Sequence, residues 1–421
     1  MVERMALSGA AKAFNMRFSM TAMFSRGCHA CRRIAVCLTV MVLSGGAAAA
    51  GTFSQCPGFA DYFAQHPRSS LLPTDAEQNL LRRHRPHWML PPGHPGAVSF
   101  YDDYIANGVL VDGNGAVVSD RVTAAILNAH GDDPRATFTH RRPHAAPKVA
   151  PVVFARIDHE RFEPPGHALR CLTLLTYHVV FRTSGLPAGL GAWSGAALGL
   201  LFDLDDWHQL DHYTAATVVL DERAAPVMLR LQQHNHQRTW VLGVDLPVPV
   251  DGRPVVDVAI RSNELYPHAP GRVRHRSVPF PTPEGMRYLL GFGPAPTMSA
   301  DDITDGRDEA DYPLGFLPHD DAFYSFQGWL GERRRLPGRD GPPGADYNTL
   351  PPLKPASLQL AAGYWREGNR DDLAAFEAGF TRETDIATFA GARRAAVAAA
   401  LERVSAPSPA ATAACDWSAH P

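Results

Sequence analysis

The run "ALRCLTLLTYHVVFRT", Ala168–Thr183, decides the fold class. It is rich in β-branched and apolar residues and reads as a strand. Five further runs share that character: "APVVFARID" (Ala150–Asp158), "TAATVVLDE" (Thr214–Glu222), "PVMLRLQQHN" (Pro226–Asn235), "RTWVLGVDLPV" (Arg238–Val248) and "PVVDVAIRSNELYP" (Pro254–Pro267). Turns separate them at the spacing of a sandwich. The expected architecture is therefore mainly β, an antiparallel β-sandwich of two sheets with long loops and a C-terminal α-helical segment.

Working outward, residues 51–146 form a turn-rich first part of the sandwich and 147–293 its core. Within the first part, "HWMLPPG" reads as a short strand with a Pro/Gly turn, and a hairpin is expected around Asp112–Gly115. Residues 294–355 are an irregular Gly/Pro-rich segment. Residues 356–405 are rich in Ala, Leu, Arg and Glu and are expected to be helical, and 406–421 form a polar tail.

Composition narrows the classes. With 421 residues and 45% hydrophobic content the chain can bury a real core, and Gly 35 with Pro 36 points to many turns. The net charge is −3 with both signs interspersed, so no nucleic-acid footprint is visible.

Arg26, Arg32 and Arg33 precede the apolar run "IAVCLTVMVLSGGAAAA", which has the length of a signal-peptide core and is short for a membrane span. Ala47 and Ala49 offer a cleavage site. Residues 1–50 are thus read as a signal peptide, the protein as exported to the periplasm or beyond, and the mature chain as free of a transmembrane span. Cleavage would remove Cys28, Cys31 and Cys37 and keep Cys56, Cys171 and Cys415. Cys171 lies in an apolar run and is expected to be a buried free thiol. Cys56 and Cys415 lie near the two mature ends, which are often neighbours in space, so a bridge between them is expected.

The stretch "LFDLDDWHQLDHYTAATVVLD", Leu201–Asp221, gathers acids and imidazoles before a strand. Alternate strand residues such as Asp206 and His208 project to one face, Asp203 precedes them, Asp211 and His212 follow, and His234 offers an imidazole from another strand. Such a set can hold a divalent metal, and it suits zinc or manganese better than calcium. The competing reading is a polar turn whose aspartates bond their own backbone.

Other chemistries lack motif support. There is no G-x-S-x-G, no phosphate-binding glycine loop and no H-E-x-x-H. Asp158, Glu160 and Glu163 supply carboxylates but no distinctive spacing. "RVRHRSV" (Arg272–Val278) reads as a solvated basic face, and the aromatics of "HDDAFYSFQGW" (His319–Trp329) read as staples holding a loop to the core.

Four segments in order resemble the vacuolar protein sorting-associated protein 62 family: "HRPHWMLPPGHPG", "PVMLRLQQHNHQRTW", "RPVVDVAIRSNELYPHAPG" and "FQGWLGERRRLPGRDGPPGADY". That family is related to the necrosis-inducing toxins of plant pathogens, so the resemblance implies a β-sandwich. In the family an Asp-Trp-Glu strand start supplies carboxylates, and the related toxins use a similar run to help hold a divalent metal. If Asp206-Trp207-His208 is its counterpart, the glutamate has become His208; if the strand is aligned without a gap, His212-Tyr213-Thr214 stands there and the carboxylates vanish. The family's Ser-His near Tyr-Pro is here Ser262-Asn263.

The functional expectation is an exported β-sandwich protein that recognises an envelope or host-surface ligand, a glycan or lipid head group, with metal assistance as an option. The alternatives are a metal-dependent hydrolase using Asp206 and His208, and a structural envelope protein.

Overall fold

The opening run folds as β6 (Arg170–His178), flanked by β5 (Val153–Phe162) and β9 (Ala215–Leu220), both antiparallel to it. The computed structural model describes residues 71–142, 147–162, 164–185, 206–208, 210, 214–233, 236–260, 263–268, 308–326, 328–331 and 395–407. β9 continues into β10 (Pro226–Gln233) through a turn in which the Asp221 carboxylate accepts the amides of Arg223 and Ala225. β10 pairs in turn with β11 (His236–Val241). On the far edge β15 (Leu314–Gly315) adds to β5 in parallel, giving a six-stranded sheet of order β11-β10-β9-β6-β5-β15.

A four-stranded sheet is built from distant segments. β1 (His87–Leu90) lies between β12 (Val255–Val258), to which it is parallel, and β14 (Asp308–Ala310), to which it is antiparallel; β13 (Leu265–Pro267) closes the edge on β12. Among the described strands two smaller sheets accompany these. β2 (Gly108–Val111) pairs with β3 (Val117–Ser119) and β4 (Thr137–His140), while β7 (Ser184–Gly185) pairs with β8 (Asp206–His208). The fold is thus mainly β in antiparallel and mixed sheets, with few helices among the described residues. The parallel pairings correct the purely antiparallel expectation: strands as distant as β1 and β12 meet through shared burial, not through a hairpin.

The expected hairpin is present. β2 and β3 flank a turn in which the Asp112 carboxylate accepts the amides of Asn114 and Ala116, with Gly115 at φ +84° where an L side chain would be strained. Helix α1 (Asp75–His84) starts at Thr74, whose hydroxyl accepts the Glu77 amide while the Glu77 carboxylate accepts the Thr74 amide. It stops where Pro86 forbids continuation. Two further short helices are α2 (Ala124–Ala129) and α3 (Ala322–Ser325), and residues 395–404 form helix α4.

Ala155, Ile157, Leu175, Tyr177, Val218, Leu229 and Trp240 of the six-stranded sheet share one buried apolar cluster with Trp88, Val256, Val258 and Leu265 of the four-stranded sheet, and Leu81 of α1 joins it. The opposite face of the six-stranded sheet is divided. Phe162, Leu172, Leu174, Val219 and Met228 pack against Val397, Ala398 and Leu401 of α4, whereas Phe154 joins a second cluster with Phe100, Tyr104, Phe138 and Phe323. Between those apolar ends the face is polar. No helix among the described residues is long and apolar enough to cross a membrane.

Candidate functional site

The polar zone is a straight cross-strand row. Arg156 of β5 lies opposite Thr176 of β6, Thr176 opposite Thr217 of β9, Thr217 opposite Arg230 of β10, and Arg230 opposite Thr239 of β11. All five are buried, none more than 3% exposed. Side chains two residues apart share a face of a strand, so this row stands on the side of the sheet away from the cluster shared with the four-stranded sheet. Burying such groups costs free energy unless they are bonded. Part of the compensation is internal: the Thr176 and Thr217 hydroxyls bond each other at 3.1 Å, and Arg156 Nε lies 3.0 Å from Asp158 Oδ2.

The β5 end of the row is enclosed by the segment that follows β15. Asp321 caps α3 by accepting the Phe323 amide, and Asn128 of α2 accepts the Ala322 amide, so the short helix is held at both its first donors. This lays Tyr324 under Arg156, whose guanidinium carbon sits 5.2 Å from the ring centroid. His178 meets the Tyr324 ring edge-on at 5.3 Å and His319 at 6.3 Å. Burial holds the Tyr324 hydroxyl above the usual phenol range, so it remains a donor, and burial also pushes the His319 imidazole down. The Tyr324 hydroxyl is closed to solvent and has no hydrogen-bond partner among the described residues.

Two more polar clusters brace the molecule. Arg182 donates to Asp103 and, at 3.1 Å, to Nε2 of His140, whose ring stacks on Tyr104 at 4.8 Å. Burial and the Arg182 charge lower the His140 pKa to about 4. At the other end Arg170 grips Glu222 with two nitrogens, at 3.0 and 2.9 Å, and donates to the carbonyl and hydroxyl of Ser405 at 3.0 and 3.1 Å, tying α4 to the sheet. Burial raises the Glu222 pKa, but the bonds from Arg170 and the Cys171 amide outweigh it and leave the carboxyl below its ordinary value.

Of the residues expected to hold a metal, Asp206 and His208 lie in β8, paired with Gly185 and Ser184 in a two-stranded sheet separate from the sheet that carries β10. Asp203, Asp211, His212 and His234 lie outside the described residues, as do Cys56 and Cys415. Among the described residues no three His, Cys, Asp or Glu side chains converge as a metal site requires. Asp158, considered for glycoside chemistry, is buried beside Arg156. Cys171 corrects its expectation of a free thiol: it is buried but disulfide-bonded. A β-rich apolar setting reports burial and says nothing about whether a second sulfur reaches it.

The aromatics of His319–Trp329 do staple their loop, with Phe323, Tyr324 and Phe326 buried in the second cluster. The same stapling delivers Tyr324 to the row. The row itself escaped sequence reading because polar residues at alternate strand positions normally mark a solvated face. A signal existed in the recurrence of Arg or Thr at matching positions of five successive strands, yet it becomes visible only once the register is known. No family model matches the chain, and no curated protein or solved structure matches it. The family resemblance therefore rests on its four motifs alone.

Proposed function

We propose that the protein is an exported recognition protein that binds a glycan or a lipid head group along the polar row of the six-stranded sheet. The observation that carries this reading is the burial of two arginines and three threonines in one register line, on a face whose two ends are apolar. Polyhydroxylated and anionic groups are bound by convergent, desolvated donors of this kind, held on rigid strands. The apolar cluster common to the four- and six-stranded sheets supports a two-sheet sandwich as the scaffold. A disulfide at Cys171 is in keeping with an oxidising compartment outside the cytoplasm.

The test is a glycan array and a panel of head-group-bearing vesicles, probed with the full chain after expression with its own N-terminus. Binding should be weakened at least several-fold by Arg156→Lys, which keeps the charge but loses the planar fork. No binding on either panel, or binding that Arg156→Lys leaves unchanged in a folded protein, would refute the proposal.

A further inference from the structure

We infer that the ligand presents an oxyanion, a carboxylate or a phosphate, to the Tyr324 hydroxyl at the β5 end of the row. The inference deepens the proposed function and rests on it. Its starting point is that the Tyr324 hydroxyl is fully buried and without a hydrogen-bond partner among the described residues, whereas native structures rarely leave such a group unsatisfied. The acceptors around it do not bond it. Asp158 is ion-paired with Arg156, although its Oδ2 makes no hydrogen bond among the described residues; Asp321 takes the Tyr101 hydroxyl, the Phe323 amide and the Asn128 side-chain amide; the carbonyls of Asp320 and Asp321 take the Ser325 hydroxyl.

What the hydroxyl can do is donate, since burial disfavours the phenolate. An acceptor reaching it enters a zone with the Arg156 guanidinium over the ring and the His178 and His319 imidazoles at its edge. Of the charges acting on the hydroxyl the Arg156 guanidinium is the largest, ahead of the Asp321 and Asp158 carboxylates taken singly, and a donor beside it favours an anionic acceptor over a neutral hydroxyl, because charge-assisted hydrogen bonds are about twice as strong as neutral ones. The hydroxyl is closed to solvent in the unliganded molecule, so binding requires local opening and its on-rate falls below that of an open site.

Tyr324→Phe tests this cleanly, because removing an unpartnered hydroxyl takes no hydrogen bond from the folded protein. Wild type and Tyr324→Phe are compared by calorimetric titration with glucuronate against glucose, with glycerol 3-phosphate against glycerol, and with phosphatidylglycerol against phosphatidylcholine vesicles. The expected result is that at least one anionic probe binds more tightly than its neutral mate, and that Tyr324→Phe weakens that binding by about tenfold or more while the unliganded melting temperature holds or rises. Preference for glucuronate or for the vesicles identifies an acidic sugar or a lipid as the source of the anion, and either supports the inference.

Neutral probes binding both proteins equally would overturn the oxyanion while leaving the polar-row reading intact. A lower melting temperature in unliganded Tyr324→Phe would also overturn it, by showing that the hydroxyl already has a partner. Absence of binding by every probe would overturn both readings.

Discussion

Replacing Arg170 by methionine should detach helix α4 from the six-stranded sheet at a calculable cost. Methionine preserves much of the apolar stem, so the loss is chiefly that of the guanidinium. That group, 2% exposed, supplies both bonds to the Glu222 carboxylate and two more to Ser405. Without it, Glu222 keeps the Cys171 amide but sits in a place where burial alone already disfavours its charge. Truncating one partner of a buried ion pair costs about 3–5 kcal/mol. Glu222 lies near the end of the sheet, where water can reach part of it, so the lower end, about 3 kcal/mol, is expected. For a chain of 421 residues, with an unfolding entropy of roughly 0.9 kcal/mol/K, that corresponds to a fall in melting temperature of roughly 3–4 °C.

Ser405→Ala loses only the hydroxyl that bridges Arg170 and Asp221, and should cost about 1–2 kcal/mol. The two changes share one network, so the double variant should cost less than their sum. Urea unfolding gives the energies, and amide hydrogen exchange of residues 397–404 reports whether α4 opens before the sheet. An Arg170→Met variant within about 0.5 kcal/mol of wild type, the range of an ordinary surface change, would refute the anchoring role.

Acid should destabilise the protein well above the carboxylate range. His94 and His140 each titrate at about 4 in the fold, His94 through burial and His140 through burial and Arg182. The unfolded chain takes up these protons near pH 6.5, so stability should be level above that, fall as pH drops towards 4, and lose up to about 3 kcal/mol per histidine. Urea midpoints at pH 7.5, 5.5 and 4.5 measure the slope, and a flat profile would contradict the burial of neutral imidazoles. Thr176→Val alone should strand the buried Thr217 hydroxyl and cost about 1–3 kcal/mol, whereas changing both threonines to valine should be nearly neutral. A double variant as unstable as the sum of the singles would show that the hydroxyls bond something other than each other. Asp206→Ala should cost roughly 0.5–2 kcal/mol and leave metal content unchanged if Asp206 is only a polar residue of β8. Stoichiometric metal by mass spectrometry in wild type, lost in Asp206→Ala and His234→Ala, would instead establish a metal site.

Local sequence determined much of the strand framework. "ALRCLTLLTYHVVFRT" and its neighbours became β5, β6, β9, β10 and β11 because β-branched and apolar residues favour extended backbone, and turn residues such as Asp221 and Asp112 bond their own loops. Thr74 and Glu77 likewise mark the start of α1 within four residues of one another.

Only the tertiary structure decided that β1 pairs in parallel with β12 across more than half the described chain, that Cys171 meets a second sulfur, and that five polar positions fall into one buried line. Those outcomes depend on register and on which element covers which face, and both are set by cooperative burial between segments far apart in sequence. Arg156 and Tyr324 illustrate the limit, since each has an ordinary local context and their contact exists only because α3 is pinned against β5 by Asn128 and Asp321.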